Sequence, residues 1–201
     1  MPSRPEPRVA ALILAAGGSR RLGRPKQLLP YGNGVLLDAV LSTARSGGFD
    51  QTVLAIGGAA DEVRGAVDTR GFDVVENREF GEGCASSIAA ALTALRPDID
   101  VLVLLLGDQP GVTPETVRLL VEGRDDHDIA VCRYDDGIGH PFAFARGMFP
   151  QLSSLHGDRG VWKLIERSSD VAEVVVPGPI PLDVDTDADY ERVLAALGGA
   201  R

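Results

Sequence analysis

The chain has 201 residues, 44% of them hydrophobic, with 20 basic against 29 acidic side chains and a formal net charge of −9. That length suits one ordinary domain with a sizeable core and no need of disulfide or metal staples, and the acidic balance argues against nucleic-acid binding by phosphate neutralisation. Cys84 and Cys132 lie far apart with no CxxC or Cys/His cluster, and no apolar run approaches the ~18 residues of a membrane span, so a reduced, cytoplasmic setting is expected.

In chain order, residues 1–8 are expected as a loose tail and 9–201 as a single domain. Arg4 and Arg8 before the apolar run Val9 to Ala16 imitate a secretory leader, but that run leads straight into a glycine-rich basic loop. Residues 9–15, 52–56, 73–76 and 101–106 read as strands, the first and last apolar on both faces as in a parallel sheet covered by helices. Segments 35–45, 61–68 and 85–95 carry helical spacing between them, and Thr113-Pro114-Glu115 opens a further helix with a cap, a proline and an early acid. Beyond residue 125 the pattern predicts strands near 129–133 and 142–145, helices near 147–154 and 159–167, and a strand at 173–176. Three prolines follow, then a capping-box-like Thr186-Asp187-Ala188-Asp189 starts a helix running to Leu197. This alternation points to an α/β fold, a doubly wound, mostly parallel sheet flanked by helices.

In such a sheet, ligands bind beyond the carboxyl ends of the strands. The first strand ends there in Ala15-Ala16-Gly17-Gly18-Ser19-Arg20-Arg21-Leu22-Gly23-Arg24-Pro25-Lys26. Its glycines admit close backbone approach to phosphate oxygens, and its three arginines and one lysine supply charge. The loop is neither a Walker A loop nor a Rossmann fingerprint, because GxxxxGK[ST] and GxGxxG are both missing. With eighteen arginines and only two lysines in the chain, Lys26 and Lys163, the placement of Lys26 is notable. Gly107-Asp108-Gln109-Pro110 follows the buried strand 101–106 and places a carboxylate at the same edge, where hard cations such as Mg²⁺ take oxygen ligands. Asp183 and Asp185, at i and i+2 on an extended stretch, share one face and could join Asp108 around a cation. The polar segment Asn77 to Ser87 supplies a third glycine-rich entry into a helix.

These segments together resemble the small nucleotidyltransferases related to the molybdenum cofactor-modifying enzymes. LILAAGGSRRLGRPKQLLPYG is similar to their LAAGxSxRxGxxKxLLP signature, FGEGCASSI to their glycine/serine segment, LLLGDQP to their metal-binding strand end, and LDVDTDADY to their terminal DxDTxxD segment. GHPFAF and LHGDRG resemble the GHP and GDxG segments of the cytidylyltransferase branch, as does Ala15-Ala16-Gly17, where the guanylyl branch more often has LAGG.

The resemblance implies a Rossmann-like fold of the nucleotide-diphospho-sugar transferase kind and Mg²⁺-dependent transfer of CMP from CTP to a molybdopterin-type cofactor phosphate. It places Leu14 to Gly18 around the nucleotide, Ser19, Arg20 and Arg21 on the β- and γ-phosphates, and Lys26 on the α-phosphate. Lys26, Arg21 and Asp108 would carry catalysis, and Asp108 and Asp185 the metal, with Asp183 the rival for second ligand. Gly81, Gly83 and Ser87 would position the base and ribose, and His140 and Asp158 would face the acceptor, a phosphorylated pterin. A molybdenum enzyme or its chaperone is the implied partner. Departures from the pattern are Pro25 beside the lysine, Asp187 where proline is common, and Cys84 where methionine is common. Open alternatives are GTP as donor, another phosphorylated acceptor, and a non-catalytic nucleotide-binding accessory protein. A dinucleotide-dependent reductase on the same fold is disfavoured by the missing fingerprint.

Overall fold

The computed structural model describes residues 6–19 and 21–199. Residues 1–5 of the expected tail and Arg20 lie outside the described residues. Arg8, counted with that tail, is held: its N–H donates to Asp100 Oδ2 at 3.0 Å and its guanidinium pairs with Asp98.

The strands are β1 (Val9–Ala15), β2 (Pro30–Tyr31), β3 (Gly34–Val35), β4 (Gln51–Ile56), β5 (Asp73–Glu76), β6 (Val101–Leu106), β7 (Ile129–Tyr134), β8 (Gly137–Ala145) and β9 (Val171–Val175). The helices are α1 (Leu36–Ser46), α2 (Ala60–Ala66), α3 (Cys84–Leu92), α4 (Pro114–Arg124), α5 (Phe149–Ser153), α6 (Gly160–Arg167) and α7 (Asp187–Gly199). Seven strands form one sheet in the order β5-β4-β1-β6-β8-β7-β9, and β2 and β3 make a small separate hairpin. β5, β4, β1 and β6 run parallel, β8 is antiparallel to both β6 and β7, and β7 is parallel to β9. The structure is therefore the doubly wound, mostly parallel sheet that the alternation predicts.

β1 lies between β4 and β6, and its side chains feed two cores. Ala11, Ile13 and Ala15 pack on one face with Leu37, Leu41 and Leu105, while Ala10 and Leu12 pack on the other with Ile88, Leu102 and Phe142. Burial on both faces is why the strand reads as continuously apolar. A third cluster joins Leu29 and Leu36 to Val184 and Val193, pinning the segment before α7 against the chain that follows the glycine loop. No helix among the described residues is long and apolar enough to cross a membrane.

Three expected boundaries are corrected. The antiparallel strand predicted at 142–145 begins at Gly137: Gly137, Ile138 and Gly139 pair with Tyr134, Arg133 and Cys132, and the register shift between Val131 and Cys132 leaves His140 and Pro141 without β7 partners. The helix near 147–154 is a 3₁₀ turn (Arg146–Met148) followed by short α5, with Pro150 in the first turn. The helix expected at 85–95 ends at Leu92.

Candidate active site

The carboxyl ends of β1 and β6 and the entry to α3 surround a cleft of about 550 Å³. Its walls hold Leu14 to Ser19, Arg21 and Lys26 from the first loop, Gly81, Gly83 and Ser87 from the second, and Asp108, Asp158, Asp183 and Asp185. Chain segments separated by more than 150 positions therefore meet at one sheet edge.

Local geometry explains the first loop. Ser19 adopts φ +47°, its carbonyl accepts from Leu22 and Gly23 N–H at 3.1 Å each, and its hydroxyl accepts from Lys26 N–H at 2.9 Å. This turn folds the arginine-rich stretch back and aims Lys26 into the cleft. Asp183 and Asp185 flank Val184, which is fully buried, so alternation along the extended stretch turns both acids outward together. Thr186 and Asp189 form the expected cap of α7: Asp189 Oδ2 accepts from Thr186 N–H at 2.8 Å, and Thr186 Oγ1 accepts from Asp189 N–H at 3.2 Å.

The centre of the site is a chain of charges. Lys26 Nζ donates to Asp108 and, at 2.9 Å, to Asp185 Oδ1; Arg21 Nη2 donates to Asp185 Oδ2 at 2.6 Å. Burial alone would pull the Lys26 ammonium down, but the charges and hydrogen bonds of Asp108 and Asp185 outweigh it and hold the group above the ordinary lysine value. Burial pushes the Asp108 carboxyl up from the usual carboxylate range, against the pull of Lys26. Burial also opposes ionisation of the half-exposed Asp185, yet Lys26 and Arg21 keep its carboxyl below that range. The expected gathering of three carboxylates is not formed: no group of three metal-type side chains occurs among the described residues, and the Lys26 ammonium stands between Asp108 and Asp185 instead. The donor set still fits a hard divalent cation, because Asp108 and Asp185 present carboxylate oxygens to one cleft and such ions usually complete their shell with substrate phosphates and water.

The second loop is tied from within. The buried Asn77 donates through Nδ2 to Ser86 Oγ and Ser87 Oγ, both at 2.9 Å, and its Oδ1 accepts from Glu79 N–H. Ser87, expected near base and ribose, thus reaches the cleft with its hydroxyl engaged by Asn77. Gly83 has φ +99°, and a Cβ there would lie 2.8 Å from Asp158 Oδ1 and from the Gly157 carbonyl carbon. That close approach lets Asp158 accept from Cys84 N–H at 3.1 Å, latching the 155–160 segment onto the start of α3. Burial pushes the Cys84 thiol up to about 11, which makes it a poor nucleophile.

His140 does not line the cleft, contrary to its expected place on the acceptor side. Its ring packs 4.1 Å from Phe142 and 6.1 Å from Trp162, and burial pushes the imidazole down to about 3. Sequence reasoning missed Gln27, Asn77 and Gln109, all buried polar side chains beside the site. For Gln27 the signal is a lone amide between Lys26 and the apolar Leu28-Leu29.

The MobA-like NTP transferase domain family matches residues 11–172 of the chain. Nicotine blue oxidoreductase of Paenarthrobacter nicotinovorans is 34% identical over 200 residues, covering 94% of this chain and 97% of that one. Molybdenum cofactor cytidylyltransferase of Escherichia coli K12 is 24% identical over 184 residues, 90% of this chain and 93% of that one. The solved structure of Rv0371C from Mycobacterium tuberculosis H37Rv, a complex with manganese, is 45% identical with a TM-score of 0.86, covering 94% of this chain and 99% of that one.

Proposed function

Because the chain belongs to the MobA-like NTP transferase domain family, we propose that residues 9–201 form one Mg²⁺-dependent nucleotidyltransferase domain moving CMP from CTP to the phosphate of a molybdopterin-type cofactor. The observation that carries this reading is the convergence of Lys26, Asp108 and Asp185 beside a glycine loop at the carboxyl ends of parallel strands. The full-length likeness to a cytidylyltransferase supports CTP as donor, and the manganese complex of a relative supports a divalent cation.

An oxygen of the acceptor phosphate attacks the α-phosphorus in line, the bond to the bridging oxygen breaks, and pyrophosphate leaves with the electron pair. Such a transfer needs positioning and charge neutralisation rather than a protein nucleophile. Asp108 and Asp185 would hold Mg²⁺, which supplies Lewis-acid neutralisation of the phosphates when bound. Lys26, released from the carboxylates, places a compact charge on the α-phosphate, while Arg21 grips the leaving phosphates with its planar fork. Asp158, next to Gly83, faces the acceptor side of the cleft. The product would pass to a molybdenum enzyme or its chaperone in the cytoplasm.

A second reading is favoured by one observation, the 34% identity to nicotine blue oxidoreductase: the same cleft would hold a dinucleotide and reduce an aromatic substrate. Incubating the protein with each of CTP, GTP, ATP and UTP, Mg²⁺ and a molybdopterin-type acceptor, with pyrophosphate detection, tests the first reading. Release from CTP supports the first reading. Release from GTP alone reassigns the donor, and binding without release from any triphosphate moves the protein to an accessory role or to the reductase.

A further inference from the structure

Four successive carbonyls at the end of β1 are engaged, each by a protein donor. Leu14 O accepts from Gly107 N–H at 2.9 Å and Ala16 O from Gly58 N–H at 3.2 Å. The other two, Ala15 O and Gly17 O, both accept from the side-chain Nε2 of Gln27, at 2.7 and 3.0 Å. No described residue accepts from the N–H groups of Gly17, Gly18 or Ser19.

In a trans peptide unit the carbonyl and the following N–H point in opposite directions. Fixing Gly17 O on Gln27 therefore turns Gly18 N–H away from Gln27. Glycines at 17 and 18 offer little intrinsic resistance to the reverse orientation, so the choice rests on what holds the carbonyls. Gln27 is 2% exposed, and its Oε1 is buried without a partner. Leaving a buried acceptor unpaired is costly. The flipped amide would instead set Oε1 against two carbonyl oxygens, which is worse.

We infer that Gln27 is a positioning residue that, by holding the carbonyls of Ala15 and Gly17, orients the glycine loop so that the Gly18 N–H remains open to a triphosphate. This deepens the nucleotide reading and rests on it. Gln27 lines the cleft next to Lys26, and it acts through the loop whose carbonyls it holds.

The test compares wild type with Gln27→Met, which keeps the volume and removes the donor, by titrating CTP, GTP, ATP and UTP with Mg²⁺ calorimetrically. The inference expects the triphosphate that wild type binds to be held at least tenfold more weakly by Gln27→Met. Steady-state rates are expected to show a raised KM for that triphosphate with kcat within about threefold, a split that a fold defect alone would not give. Binding by Gln27→Met within twofold of wild type overturns the inference and leaves the nucleotide reading intact. Wild type binding none of the four overturns both. Hydrogen exchange on wild type gives a reading that needs no variant: Gly18 N–H should exchange freely in the ligand-free protein and slow at least tenfold with the bound triphosphate. A Gly18 amide already protected without nucleotide also overturns the inference.

Discussion

The ammonium of Lys26 donates to Asp185 Oδ1 across 2.9 Å, joining the loop after β1 to a residue 159 positions later. The same ammonium also meets Asp108, and Arg21 pairs with Asp185, so the two carboxylates are balanced by two basic side chains of the chain itself. Charge complementarity within the site thus precedes any ligand, and ligands must exchange partners with it. On the proposed reading metal and nucleotide binding are coupled, because each frees the group that the other needs.

The first prediction follows from that exchange. Lys26→Met removes the resident cation, so at pH 8 and without nucleotide it should bind Mn²⁺ at least tenfold more tightly than wild type, measured by the loss of free Mn²⁺ signal in electron paramagnetic resonance. Equal or weaker binding would show that Lys26 does not occupy the cation position.

Asp108→Asn keeps the shape of a buried side chain and removes its charge. Turnover should fall by roughly 10²–10³, the range for loss of one electrostatic group at a reacting centre, and the Mg²⁺ concentration for half-maximal rate should rise. A Mg²⁺ titration showing neither change would take Asp108 out of the metal site.

Gly83→Ala should open the latch between the second loop and Asp158. Its φ of +99° and the 2.8 Å approach of Asp158 Oδ1 both penalise a Cβ. The backbone part alone costs about 1–3 kcal/mol, so thermal unfolding should shift down and KM should rise for nucleotide or acceptor. Unchanged values of both would mean that the 155–160 segment is free to move away at no cost.

His140 gives a pH signature. Its folded pKa is pushed down to about 3, whereas an unfolded histidine titrates near ~6.5. Between these values the unfolded chain binds a proton that the folded chain does not, so stability is full above pH ~6.5 and declines as pH falls towards 3. His140→Gln should reduce the slope of stability against pH in that window by up to about 1.4 kcal/mol per unit. The wild-type His140 ring resonances should not titrate between pH 5 and 8, and a midpoint near 6.5 would contradict its burial.

Much of this was legible in the residues. Strands 9–15 and 101–106 coincide with β1 and β6, which are central and uniformly apolar, and 73–76 coincides with the edge strand β5. Lys26, Asp108 and Asp185 could be singled out because Lys26 closes the glycine-rich loop after β1, Asp108 follows the end of β6, and Asp185 shares a face with Asp183 on an extended stretch. The positions of His140 and Gln27 were not legible. Whether a histidine faces a cleft or a Phe142–Trp162 cluster depends on β8 pairing with β7 through a bulge, which composition does not encode. Gln27 carries no periodic signal, because its role is set by two carbonyls ten and twelve residues earlier.

The most direct test of the proposed centre is pyrophosphate release from CTP with Mg²⁺ and a molybdopterin-type acceptor, compared between wild type and Lys26→Ala. The account predicts release by wild type and a loss of orders of magnitude in the variant with its fold intact by circular dichroism. Equal release by the two proteins would contradict it.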